Sequence, residues 1–195
     1  MNLLATGRRA RNLGTGKGSG PRRGSSLVEL LVAVAALLVG LLAFTRALTE
    51  SLALGRTNRQ TALATAAAQG AIERLQAADL ARAFALYNEE PDDDPDGSGS
   101  APGPRFAAAG LVALAGDGGL HGTITFPVEK GSPGVLREDL ADAALRTPLD
   151  LNLDGAVDDA DHSADYRLLP VRVRIAWQDG RSQRELEVAT ILGGR

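Results

Sequence analysis

Oxygen-bearing side chains recur at a metal-binding spacing in residues 150–161, DLNLDGAVDDAD. Asp150, Asn152 and Asp154 alternate at positions 1, 3 and 5 of the run, Gly155 stands at 6, and Asp158 and Asp161 fall at 9 and 12. The alternation turns three donors to one side of a tight loop, the glycine permits the sharp turn, and the later carboxylates close round the same point. Hard oxygen donors in that number suit Ca2+, with the carbonyl of Ala156 as the position 7 ligand and Val157 as the apolar residue anchoring the loop. A closing Asp161 is one methylene shorter than a glutamate, which puts the expected affinity at about 10⁻⁴ to 10⁻³ M, the range of extracellular sites. The ion would be structural, its binding free energy adding to the stability of the fold. A solvated Asp-rich turn in an acidic chain is the competing reading.

Asp92, Asp94, Asp96 and Gly97 repeat the first half of this spacing, but Gly103 stands where a closing carboxylate belongs. His162, one residue past the main loop, carries a softer donor than a hard cation prefers and is expected at the surface. Catalytic groups are scarce. His121 and His162 are the only histidines, Lys17 and Lys130 the only lysines, and no Ser or Asp sits in a recognisable nucleophile setting, so a non-enzymatic protein is expected. The glycine-rich GTGKGSG superficially suggests a phosphate loop, but Arg11 occupies the first glycine position and Gly18 replaces the Ser or Thr.

One further carboxylate stands out by its surroundings. Glu29 interrupts RRGSSLVELLVAVAALLVGLLAF, residues 22–44, in which Leu30 to Phe44 contains no charged residue. With Ser25 to Glu29 added, the run approaches the roughly 20 residues that span a bilayer's hydrocarbon core. A charged side chain there costs about 2.5–3.5 kcal/mol at mid-span and less near the end, so it needs a partner or a role. Upstream, Arg8, Arg9, Arg11, Lys17, Arg22 and Arg23 are unopposed by any acid, which by the positive-inside rule keeps residues 1–24 in the cytoplasm. A cleaved secretory signal and a plain single-pass anchor both fit the hydropathy, but neither gives Glu29 a cationic partner. A Glu29 that simply snorkels to the headgroups is the alternative.

These residues resemble the class III signal of type IV pilins and type II secretion pseudopilins, closely over residues 22–50 and more generally over 168–192. The resemblance implies that a prepilin peptidase cuts after Gly24, that Ser25 becomes an N-methylated first residue, and that Glu29, then the fifth, pairs with the terminal amine of a neighbouring subunit. Ser25 stands where the family usually has Phe. The long leader and C-terminal hairpin are most similar to minor pilins of the type IV pilus modification type and to minor pseudopilins. Expected partners are therefore other pilin or pseudopilin subunits, the prepilin peptidase and the inner membrane, with the C-terminal part in the periplasm or at the cell surface. Residues 150–161 are similar to the calcium loop of EF-hands and more closely to that of dockerins, which often close with Asp. The alternative from another class is a membrane-anchored, calcium-stabilised binding module or adhesin that does not polymerise.

Charge and cysteine usage narrow the rest. The chain has 21 Lys and Arg against 24 Asp and Glu; six of the cations lie before residue 25, leaving 15 against 24 beyond it. An acidic exported part argues against nucleic acid as a partner. With no cysteine, no disulfide or thiolate contributes.

The elements that must carry these groups follow from periodicity. No proline falls between Pro21 and Pro91, and the composition favours helix, so one helix is expected over 25–86, membrane-embedded over 25–47 and amphipathic over 48–87. Ala68, Ile72, Leu75 and Leu86 mark its packing face, widened by Leu80 and Phe84, and Gly40 and Gly55 are places where it could bend. Residues 88–105, NEEPDDDPDGSGSAPGPR, read as an acidic linker, and residues 106–195 as a β-rich part. Val171, Val173, Ile175 and Trp177 alternate with polar positions, Asp179 and Gly180 offer a turn, and Leu186, Val188, Thr190 and Leu192 alternate again, predicting a hairpin. Gly122–Val128 is a further strand, limited to an edge or an end by Pro127. A long helix on a small antiparallel sheet is α+β, and the resemblance makes it pilin-like.

Overall fold

The computed structural model describes residues 26–194, so the expected processing pair Gly24 and Ser25 lies outside them. The first helix, α1, runs Leu27–Ala77. Ser26 starts it, its hydroxyl accepting from Val28 N at 3.3 Å and its carbonyl from Leu30 N at 3.1 Å, the satisfaction of orphan amides that an N-terminal serine provides. The helix continues through Gly40 and Gly55, where a Cβ would meet nothing within 4 Å.

The chain divides between Thr49 and Glu50 into two compact units. In the first, the side chains from Leu27 to Phe44 are exposed and almost wholly apolar, and the helix is long and apolar enough here to cross a membrane. That composition is compatible with a single-pass anchor.

In the second unit the helix buries Gln60, Ala64, Ala68, Ala71 and Leu75, spaced by four, four, three and four residues. Three of these five are alanines, and the stripe begins earlier than the larger apolar side chains suggest; Ala68 and Leu75 lie on it as expected, whereas Ile72 and Leu86 are only half-buried. Small side chains bring the helix backbone close to the sheet. The expected single helix to residue 86 is interrupted. Asp79 adopts an extended conformation, its side chain accepting from Ala81 N at 3.2 Å, and caps a second helix, α2, Leu80–Tyr87. A local side-chain acceptor competes with helix continuation, as Asp does wherever it can cap.

Four strands form one antiparallel sheet: β1 (Arg105–Phe106), β2 (Gly122–Thr125), β5 (Leu168–Asp179) and β6 (Ser182–Gly193), in that order. β3 (Val128–Glu129) and β4 (Ser132–Leu136) form a separate pair. The hairpin of β5 and β6 is in register from Leu168↔Gly193 to Asp179↔Ser182, with Gly180 at φ 61° in the two-residue turn, one position later than the Asp179-Gly180 turn expected. Leu169, Val171, Val173, Ile175 and Trp177 join the alanine stripe, Phe84, Phe126 and Tyr166 in one core. Asp179 ties the turn to α1: Thr57 Oγ1 donates to it at 3.3 Å, Gln60 with its amide oriented to donate reaches it at 3.0 Å, and Arg184 lies at 3.5 Å. The α+β arrangement follows directly from these layers.

Candidate metal centre

The stem of the loop at 150–161 is held by Leu151, which is fully buried and whose carbonyl accepts from Arg167 N at 2.7 Å and Leu168 N at 2.9 Å. Leu151 therefore anchors the loop. Val157, expected in that role, is 47% exposed, because the buried side chain sits at the stem where the chain enters β5.

Asp150, Asn152 and Asp154 are brought together. Asp150 Oδ1 accepts from Leu153 N at 2.6 Å and Asp154 N at 3.2 Å, and its Oδ2 from Gly155 N at 2.9 Å. Asn152 Oδ1 accepts from Asp154 N at 3.0 Å, and Asp154 Oδ1 from Ala156 N at 2.8 Å. Gly155 (φ 93°) and Leu153 (φ 63°) take positive φ to wrap the loop. Glycine does so freely, whereas a leucine there is strained, and the strain is offset by the bond from Leu153 N to Asp150.

Asp158 and Asp161 turn to other partners. Asp161 Oδ1 accepts from Leu136 N at 3.1 Å and Ser163 N at 2.9 Å, and its Oδ2 from Ser163 Oγ at 3.1 Å, so this carboxylate braces the loop against β4. Asp158 Oδ1 accepts from Ala160 N at 2.8 Å and lies 3.1 Å from His162 Nε2. The amide bond from Ala160, and next the bond with His162, hold the Asp158 carboxyl below its usual range.

Two residues outside the expected set enter here. Glu138, just past β4, is 1% exposed; its Oε1 accepts from Leu151 N at 2.5 Å and Asn152 N at 3.2 Å, and its Oε2 from Asp158 N at 3.4 Å. His162 is not at the surface but 4% exposed, with Nδ1 at 3.1 Å from Asp165 Oδ1 and Nε2 at 3.7 Å from Glu138 Oε2. It is drawn inward because the main chain there bonds to β4, His162 N donating to Leu136 O at 2.9 Å. Burial by itself pushes the imidazolium down; the hydrogen bonds to Asp158 and Asp165 and the charge of Glu138 outweigh it, so the net shift is upward. No spacing rule connects Glu138 to residues 150–161, and the only signal for His162 is its adjacency to the run.

The remaining expected residues lie elsewhere. Glu29 is in the first turn of α1, exposed in the apolar unit, where the helix N-terminus favours a negative charge. In the acidic segment, Asp96 pairs with Arg82 at 2.8 Å, Asp94 Oδ2 accepts from Ala101 N at 3.1 Å and Asp92 Oδ1 from Ser98 Oγ at 3.0 Å, so those carboxylates are spent on local order.

Comparison of the chain with protein-family models, with curated proteins and with solved structures finds no match.

Proposed function

We propose that the chain is a minor pilin or pseudopilin, a non-enzymatic subunit of a type IV pilus or type II secretion filament, processed by prepilin peptidase after Gly24 and held in the inner membrane until it assembles. The observation that carries this reading is Glu29: one carboxylate in the first turn of α1, within a stretch that is otherwise uncharged, exposed and apolar as far as Phe44, five residues after Gly24 and directly downstream of a cationic leader. Such a charge is expensive in hydrocarbon without a cation, and cleavage after Gly24 supplies one as the new terminal amine. The α+β second unit, with an alanine-lined helix on an antiparallel sheet, supports a pilin-like fold. Asp150, Asn152 and Asp154, gathered on one turn, support a structural Ca2+ that would order the loop.

The test is the mass and N-terminal sequence of the protein recovered from membranes of cells with an active prepilin peptidase, for the wild type and Glu29→Val. The expected product begins at Ser25, and Glu29→Val inserts normally but is lost from filaments. An intact leader, a cut beyond Phe44, or a substituted subunit present in filaments at wild-type levels would transfer the assignment to an anchored binding module that does not polymerise.

A further inference from the structure

We propose that Glu138, Asp158 and His162 form a binding site for a divalent transition metal ion of the Zn2+ type, distinct from the hard-cation loop at Asp150, Asn152 and Asp154. Ligand atoms of the three residues all lie within 4.8 Å of one another. His162 Nε2 is 3.1 Å from Asp158 Oδ1 and 3.7 Å from Glu138 Oε2. Donors bound tetrahedrally at about 2.0–2.1 Å are separated by about 3.3 Å; the two distances from His162 Nε2 bracket this value, and the carboxylates of Glu138 and Asp158, within 4.8 Å of each other, would close on the ion.

Three features separate this cluster from an ordinary acidic patch. Two of its three members are almost fully buried, and Glu138 has no Lys or Arg within 4.0 Å among the described residues, so its buried charge is left to His162 or a metal. Three backbone N–H groups and His162 already face the Glu138 carboxylate, and a metal ion would supply the compensating cation in place of the imidazole proton. Asp165 Oδ1 lies 3.1 Å from His162 Nδ1, a carboxylate–imidazole contact that fixes the ring and keeps a proton on Nδ1 when an ion displaces the proton from Nε2, which without metal bonds Asp158 Oδ1 at 3.1 Å. Finally, Glu138 is oriented from behind by Leu151 N and Asn152 N on Oε1, leaving Oε2 toward His162. An imidazole donor excludes a purely hard-cation site and favours the Zn2+, Co2+, Ni2+ class. Asp158, exposed on its outer side, leaves room for a fourth, solvent ligand.

The proposal is independent of the filament assignment. It is tested by titrating the untagged, detergent-solubilised full-length chain with Co2+, read by its visible d–d absorption, followed by displacement with Zn2+. One equivalent of Co2+ with the intense bands of a four-coordinate site is expected, bleached by stoichiometric Zn2+. His162→Asn should abolish the bands, Asp165→Asn should weaken binding about 10- to 100-fold, and Asp154→Ala should leave them unchanged. Glu138→Gln, whose amide oxygen still accepts from Leu151 N, serves where His162→Asn fails to fold, and it too should abolish the bands. Absence of Co2+ and Zn2+ binding at micromolar metal, bands that survive His162→Asn or Glu138→Gln, or bands lost in a folded Asp154→Ala would overturn it.

Discussion

Gly122 is a residue whose identity is dictated by one neighbour. It pairs with Phe106 on β1 and Ile175 on β5, and a Cβ there would stand 2.2–2.5 Å from atoms of the Phe106 ring. The ring lies over the glycine, with the Arg74 guanidinium 5.4 Å from its centroid, so neither side of the ring is free to yield. Gly122→Ala is therefore expected to destabilise the second unit by about 1–3 kcal/mol through overpacking, measured as a shift in the urea midpoint at unchanged m-value. A midpoint equal to that of wild type would show that Phe106 swings away at no cost. The sequence marks this segment as a strand, but not its glycine as a contact surface, because Phe106 lies 16 residues upstream with irregular chain between. The candidate site behaves the same way. Asp150, Asn152 and Asp154 are legible because their spacing is local, whereas Glu138 is not.

At the level of elements, β5 and β6 present a polar face on which Arg174 pairs with Glu185 at 2.6 Å and Arg172 with Asp142 at 3.1 Å and Glu187 at 3.9 Å. The bond from Arg174, and then its charge, lowers the Glu185 carboxyl below its usual value. A carboxylate lowered on folding contributes stability that is present above its unfolded pKa, about 4.3, and lost as pH falls through the folded value. Both side chains are about half exposed, so solvent screening limits the pair to a few tenths of a kcal/mol. Glu185→Gln should thus lower stability slightly at pH 7 and leave it equal to wild type near pH 3; a difference that persists undiminished at pH 3 would exclude the ion pair as its source. Element boundaries show where local and long-range forces differ. The hairpin is readable from alternation over 24 residues of paired strand, while the break between α1 and α2 depends on one Asp side chain choosing to cap.

For the molecule as a whole, the question is what stabilises a domain with no cysteine to cross-link it. A structural Ca2+ at ten times its Kd contributes about 1.4 kcal/mol by mass action, which for a unit of this size is a few degrees in Tm. Chelation should lower the Tm of the detergent-solubilised chain by about 3–5 °C, with recovery on adding back Ca2+ but not Mg2+, and Asp154→Ala should remove the difference. Superimposable melting curves with and without Ca2+ would remove the calcium role and leave the bonds from Leu153, Asp154 and Gly155 to Asp150 as an ordinary acidic turn.

Short-range pattern in the amino-acid sequence is enough to specify an uncharged run long enough to cross a membrane with one acid at its start, a helix continuing beyond it, a β-hairpin with alternating faces, and three oxygen donors spaced for a loop. Each depends on neighbours within about one helical turn or one strand pair, where periodicity and turn chemistry are sufficient. Folding in three dimensions was needed to make Ala64 and Ala71 helix contacts beside Ala68 and Leu75, to anchor the loop by Leu151 and not Val157, and to bury His162 against Glu138. The burial of His162 depends on the bonds of Leu136, whose N donates to Asp161 Oδ1 and whose O accepts from His162 N, a closure over some 25 residues whose geometry emerges only when β4 and the loop come together.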